Sequence, residues 1–283
     1  MRQNLIILAA GASSRMKNSI DDSLDKQLAA QANTRTKGLI PIAKGRPLLD
    51  FLMYNAKKSG YTNIYLVISE KDKLICNHYG DCFEGLSITY AIQYVPRGRE
   101  KPLGTADAVA QTLQQYPDLQ GKYFTVCNSD NLYSKEVFKK LLHTKALNAF
   151  IAYDRDALNF HLERIQQFAL VSLDEENYLQ DIIEKPSETK SKKYVDSFGK
   201  LRVSMNIFRF YGPLFSPYVI NCPITKSRNE RELPTALLNM LNDHPKSVVG
   251  IPVSEHVPDI TSKKDIALMR EYIEENHGYF NLE

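Results

Sequence analysis

Asn4-Leu5-Ile6-Ile7-Leu8-Ala9-Ala10-Gly11-Ala12-Ser13-Ser14-Arg15 runs from an apolar stretch through a glycine and small residues to a cation. A continuous apolar run rich in β-branched residues reads as a strand buried on both faces, the kind found at the centre of a parallel sheet. In α/β sheets ligands gather outside the carboxyl ends of such strands, so Gly11 to Arg15 sits where a site belongs. Small side chains there let backbone N–H groups approach phosphate oxygens, and the Arg15 guanidinium matches those oxygens as a fork. A tight turn would use the same residues, and neither G-x-G-x-x-G nor G-x-x-x-x-G-K-[ST] is present.

Outward from that strand, Pro47 to Ser59 places Leu48, Leu52 and Ala56 on one face and stops at Gly60, which predicts an amphipathic helix. Asn63 to Ser69 predicts a second buried strand, and strand, helix, strand is a parallel crossover unit. The pattern resumes with a strand over Ser87 to Gln93, a helix from Thr105 to about Tyr116 with Thr105 as its cap, and a strand over Tyr123 to Cys127. Beyond a helix near Lys135 to His143, strands are predicted at Ala149 to Tyr153, Phe168 to Leu173, Tyr178 to Ile183, Val203 to Phe210 and Ser247 to Val253. Asp174 to Asn177 reads as a hairpin loop, and the capping pair Ser262 and Asp265 opens a last helix. Lys17 to Thr36 and Ser187 to Lys200 read as polar surface insertions, the first also as a flap over a bound triphosphate. The expected architecture is α/β: one domain over 1–283 with a mixed, mostly parallel sheet, a nucleotide-binding half to about residue 133 and a second half from about 134.

A chain of 283 residues, 43% of them hydrophobic, can bury a substantial core. With 36 Lys+Arg against 33 Asp+Glu the net charge of +3 argues against a nucleic-acid surface. Cys76, Cys82, Cys127 and Cys222 contain no C-x-x-C pair and read as reduced thiols of a cytoplasmic protein. The apolar run at the start is too short for a signal segment, and no run approaches the ~20 residues of a membrane span.

Two further segments bear on chemistry. Lys37, fixed by Gly38-Leu39-Ile40-Pro41-Ile42 and the start of a helix, can neutralise a phosphate that gains charge, although a lone lysine is more often solvated surface. Asp130, in Asn128-Ser129-Asp130-Asn131 after a buried strand, can hold Mg²⁺, although those residues would also make an Asx turn.

Taken in order, L-A-A-G-x-S-S-R, K-x-L-x-P-[IV] and G-x-P-L-L resemble the signature of sugar-1-phosphate nucleotidylyltransferases, including the glucose-1-phosphate thymidylyl- and uridylyltransferases. The likeness continues through Pro102-Leu103-Gly104-Thr105-Ala106, Asn128-Ser129-Asp130, Glu184-Lys185-Pro186 and Val257-Pro258-Asp259-Ile260. It implies a Rossmann-like three-layer α/β/α sandwich and a nucleotide site of Ala10, Gly11, Ala12, Ser13, Gln93, Gly104 and Thr105. Arg15, Lys37 and Lys185 become the catalytic cations, and Asp130 and Asp259 the Mg²⁺ ligands. Ala169, Glu184, Lys185 and Asn206 are expected around the sugar phosphate, with Ala169 standing where many members have glycine. A helix start at Glu232-Leu233-Pro234-Thr235-Ala236 is also similar to one of the family.

The implied reaction joins a nucleoside monophosphate from an NTP to a sugar 1-phosphate and releases pyrophosphate. Its partners are these two small molecules, with no nucleic acid and no membrane, and a homo-oligomer is compatible with it. Rivals on the same fold are transfer to a non-sugar phosphate such as choline phosphate, methylerythritol phosphate or a molybdopterin, and a silent nucleotide-sugar-sensing subunit. A glycosyltransferase is disfavoured because Asn128-Ser129-Asp130 has one carboxylate where D-x-D is expected. No hexapeptide repeat is present, so no fused acetyltransferase is expected.

Overall fold

The computed structural model describes residues 3–11, 13–19, 30, 32, 37–184, 191–226 and 228–276. They form β1 (Asn4–Leu8), α1 (Ser14–Asn18), β2 (Pro41–Ala43), β3 (Arg46–Pro47), α2 (Leu48–Ser59), β4 (Asn63–Ser69), α3 (Lys73–Tyr79), β5 (Cys82–Phe83) and β6 (Leu86–Gln93). Next come α4 (Thr105–Gln115), β7 (Tyr123–Asn128), α5 (Lys135–His143), β8 (Asn148–Asp154), α6 (Leu162–Ile165), β9 (Ala169–Leu173) and β10 (Leu179–Ile183). β11 (Arg202–Tyr211), α7 (Gly212–Ile220), α8 (Leu233–Asp243), β12 (Val248–Val253) and α9 (Lys264–Glu275) complete the order. The class is α/β with a mixed sheet, as the sequence predicts.

The chain divides into two compact units that are interleaved in sequence. The first comprises Met1–Pro102, Asn128–Phe138 and Pro258–Glu283, the second Leu103–Cys127 and Lys139–Val257. Gly104 and Thr105, which the sequence reading groups with Gly11, therefore belong to the second unit.

In the first unit β1, β4 and β6 run parallel, with Leu5 opposite Ile64 and Ile64 opposite Ile88. β1 is buried on both faces, which is why it shows no alternation, whereas β6 leaves Ser87 exposed and Thr89, Tyr90 and Ile92 half-buried. Helix α2 ends at Gly60, whose φ of 107° is open to a residue without Cβ and lets its N–H reach Lys57 O at 3.0 Å. Met16 of α1, Ile40, Phe51 of α2, Ile260, and Ile266 and Met269 of α9 share one core. Each such side chain contributes roughly 1.5–3 kcal/mol by leaving water, so the loops around α1 and Ile260 are anchored from beneath. The predicted cap of α9 is present, since the Thr261 and Ser262 N–H groups donate to the Asp265 carboxylate at 2.9 and 2.6 Å.

In the second unit β11 organises the sheet. Its first residues pair with β9 (Ser204 opposite Ala169), its last with β7 (Phe210 opposite Phe124), and both ends pair with β8. β10 is antiparallel to β9, and β12 is parallel to β8. The expected hairpin loop is capped by Asp174, whose Oδ1 accepts from the Glu176 and Tyr178 N–H groups. Thr105 does not cap α4. Its hydroxyl accepts from the Leu233 N–H at 3.1 Å, a long-range bond that local propensity cannot reveal.

His256 gives the second unit a pH dependence. Its Nδ1 accepts from the Asn159 N–H at 3.1 Å and its ring meets Phe160 edge-on. Burial, aided by the Arg164 charge, pushes its pKa down from 6.5 to about 4. Between those values the unfolded chain binds the proton and the folded chain does not, so stability falls as pH drops through this window. Urea midpoints should decline from pH 7 to pH 4.5, and His256→Asn, which keeps an acceptor for Asn159 but cannot titrate, should flatten part of that decline. Parallel curves for the two proteins would exclude His256 as the cause.

Among the described residues no helix is long and apolar enough to cross a membrane.

Candidate functional site

Five segments distant in sequence meet in the first unit. At the carboxyl end of β1 Ala10 is buried and Gly11 is exposed, with open space where a Cβ would point. Ser13 follows in the left-handed region (φ 53°), and its carbonyl accepts the Lys17 N–H at 3.0 Å to start α1. Backbone held in that region by a non-glycine residue is a form of strain that clusters at ligand loops. Arg15 lies exposed on the first turn of α1. Ala12 is outside the described residues, as is most of Lys17 to Thr36.

The Ser129 N–H donates to Leu8 O at 3.2 Å and so ties the segment after β7 to the end of β1. That segment does not fold back as an Asx turn. Asn131 bridges Asp259, the Ile260 N–H donates to Asp130 O at 2.9 Å, and the Leu132 N–H donates to Pro258 O at 2.9 Å. Backbone pairing thus sets Asn131 opposite Asp259 and Asp130 against Ile260, so the segments that carry the two aspartates run side by side although 129 positions separate them (259 − 130). Buried Gly38 packs against Leu49 and Ser129, and this brings Lys37 Nζ to 2.9 Å from Asp130 Oδ2. The pair is sheltered, with side chains 12% and 27% exposed. Thr261 Oγ1 donates to the Asp259 carboxylate at 3.2 Å and orients it. Gln93, buried at the end of β6, also belongs to this unit.

Among the described residues no group of three or more His, Cys, Asp or Glu converges as a metal cage. Two hard carboxylate oxygens suit Mg²⁺, which keeps several waters and takes one or two carboxylates beside substrate phosphates.

In the second unit, Gly104 has a φ of 109°, and a Cβ there would lie 2.4 Å from Arg231 O. The contact is made by backbone pairing: the Arg231 N–H donates to Leu103 O at 2.7 Å and the Ala106 N–H to Arg231 O at 3.0 Å. Ile183 lies opposite Leu170 at the end of β10, Glu184 follows directly after that strand, and Ala169 is opposite Ser204. Ala169 opens β9, and Asn206 lies two residues beyond its partner Ser204, in the middle of β11. Asn206 has a φ of 56°, left-handed within a strand, at the irregularity where β11 leaves β9 for β7. Asparagine tolerates that conformation better than other side chains, and a bulge re-aims the residue it carries. Lys185 lies outside the described residues.

One residue of this unit escapes a sequence reading. Arg228 donates to Glu184 at 2.8 Å and to Glu232 at 2.7 Å, which sets a cation beside the carboxylate of E-K-P. Burial pushes the Glu232 carboxyl up from its usual range, the Glu184 charge adds to this, and Arg228 opposes both. The i, i+4 spacing of Arg228 and Glu232 was the one available signal, and it does not point to Glu184.

The family model for nucleotidyl transferases matches residues 5–211, well over half of the chain. The bifunctional protein GlmU of Methanocaldococcus jannaschii is 23% identical over 268 residues, 95% of this chain and 53% of that protein. Glucose-1-phosphate adenylyltransferase of Mycoplasma mobile is 23% identical over 234 residues, 76% of this chain and 58% of that enzyme. Glucose-1-phosphate adenylyltransferase 1 of Vibrio cholerae is 26% identical over 192 residues, 66% of this chain and 44% of that enzyme. The chain spans about half the length of these relatives. A Bacillus anthracis crystal structure assigned as a glucose-1-phosphate thymidylyltransferase shares the fold, with a TM-score of 0.70, 17% identity, and coverage of 99% of this chain and 97% of that one.

Proposed function

Because this chain belongs to the nucleotidyl transferase family, we propose that it transfers a nucleoside monophosphate from an NTP to a sugar 1-phosphate, releasing pyrophosphate. The observation that carries the reading is the backbone pairing of the segments that carry Asp130 and Asp259, with Lys37 on Asp130, at the carboxyl end of β1. A phosphate oxygen of the acceptor attacks the α-phosphorus in line, the bond to the β-phosphate oxygen breaks, and pyrophosphate leaves. The attacking phosphate is already ionised at neutral pH, so no general base is required.

Asp130 and Asp259 would hold Mg²⁺, which screens the repulsion between two anionic reactants and stabilises charge on the transferring phosphorus. Gly11 to Ser13 cradle the triphosphate with backbone N–H groups, and Arg15 grips its oxygens. Lys37, on Asp130 in this structure, would add its charge to that of the metal ion in neutralising the phosphates. Within the first unit, Gln93 reads the base. Glu184 and Asn206 hold sugar hydroxyls, Ala169 narrows the floor of that site, and Lys185 with Arg228 takes the sugar phosphate. The reading places the protein in the cytoplasm, where both substrates and the four free thiols are at home.

The four common NTPs should be screened against a panel of sugar 1-phosphates and phospho-alcohols, with pyrophosphate as the readout. Release should require both substrates, favour a sugar 1-phosphate and stop with EDTA. Preference for a phospho-alcohol would move the acceptor to another class, and release indifferent to any acceptor would defeat the proposal.

A further inference from the structure

Lys263 is a buried lysine, 6% exposed, at the start of α9 and four residues after Asp259. Its ammonium donates to Ser19 O at 2.5 Å and approaches Lys17 O at 3.5 Å, and its backbone N–H donates to Ser19 Oγ at 3.0 Å. Ser19 Oγ in turn donates to Met16 O at 2.9 Å, and the Ser19 N–H donates to Arg15 O at 3.0 Å. Among the described residues no carboxylate pairs with Lys263. A buried cation bears a desolvation penalty that a surface lysine avoids, and the described partners of Lys263 are carbonyls, so its position calls for a reason.

The acceptors supply one. They are the last carbonyls of α1, which have no partner inside the helix and lie at the negative end of its dipole. Five residues make too short a helix to stand alone, so the orientation of α1 depends on what holds its ends. The opposite end carries Ser13 and Arg15. Lys263 therefore grips the triphosphate loop from behind. It also sits on the loop of Asp259, whose geometry is fixed by the Thr261 bond to Asp259 and the Asp265 cap.

We propose that Lys263 is a positioning residue for nucleotide binding, clamping the loop of Gly11 to Arg15 to the loop that carries Asp259. The inference rests on the reading that the first loop takes the NTP. Both loops lie within the first unit.

Three variants test it, with the NTP and acceptor that the release screen selects. Lys263→Met keeps the apolar stem and deletes the ammonium, Lys263→Arg keeps charge and donors, and Ser19→Ala removes one bond and no charge. Lys263→Met should raise KM for the NTP about tenfold, with kcat and KM for the acceptor within about twofold of wild type. Amide exchange at Lys17 and Ser19 should quicken in the same protein. Lys263→Arg should recover most of the NTP affinity, and Ser19→Ala should show a smaller version of the same split. A lower melting temperature with KM for the NTP unchanged would make Lys263 a structural residue only and overturn the proposal. A fall in kcat alone, or an equal rise in KM for both substrates, would overturn it as well. If Lys263→Met fails to fold, wild-type NTP affinity and wild-type exchange in Ser19→Ala overturn it. Absence of saturable NTP dependence in the wild type itself would sink the underlying reading and this inference together, and that result is distinguishable from failure of the variants alone.

Discussion

Asp130→Asn should lower turnover by about a thousandfold, roughly 4 kcal/mol of transition-state stabilisation, while the protein still unfolds cooperatively. The substitution keeps the volume of the side chain and removes the charge that would hold the metal. It also removes the partner of Lys37, but Asp130 is 27% exposed at its side chain, and water screens much of that loss. The Ile260 N–H bond to the Asp130 carbonyl does not depend on the side chain, so the pairing of the two loops persists. Steady-state rates and circular dichroism on the same sample decide the matter. Near wild-type turnover would remove Asp130 from the metal site, and an unfolded variant would make it a structural residue.

Gly104→Ala should be the most disruptive of the glycine changes, because two penalties coincide there. A φ of 109° is strained for any residue with a Cβ, and the new methyl would sit 2.4 Å from Arg231 O. That oxygen is backbone, so it yields only if the bonds joining Leu103 and Ala106 to Arg231 lengthen or break. Gly98 provides the comparison, with a φ of 82° and nothing within 4 Å of the Cβ position. Gly98→Ala should cost about 1 kcal/mol, the strain alone, and Gly104→Ala at least about 2–3 kcal/mol. Urea denaturation of both variants measures the difference. Equal costs would mean that the 103–106 and 231–233 segments separate easily and that their pairing contributes little.

The first unit was the more legible part of this chain. Asn4–Leu8 is an apolar run whose burial on both faces follows from composition, Asn63–Ser69 and Leu86–Gln93 carry enough apolar residues to read as strands, and Gly60 marks the end of α2 by its backbone freedom alone. The backbone pairing of the Asp130 and Asp259 segments has no local signal, since no local pattern links residues so far apart. The features that stayed hidden are long-range. The Thr105 hydroxyl serves Leu233 rather than its own helix, and Arg228 serves Glu184 across a gap of 44 positions. Asn206 lies inside a run that reads as regular strand, and its left-handed backbone arises only because β11 changes neighbours there. The interleaving of the two units is hidden for the same reason, because Leu103–Cys127 joins the second unit through contacts made more than a hundred residues later.

Phosphorus NMR of the complete reaction tests the central claim most directly, because it identifies the bond that forms. With NTP, sugar 1-phosphate and Mg²⁺ present, the account predicts that the sugar-phosphate resonance gives way to two coupled signals of a diphosphodiester, with pyrophosphate appearing in equal amount. Nucleoside diphosphate and inorganic phosphate in their place would reveal hydrolysis at the γ-phosphorus, and an unchanged sugar-phosphate signal would show that no nucleotide is joined to it. Either result would contradict nucleotidyl transfer by this protein.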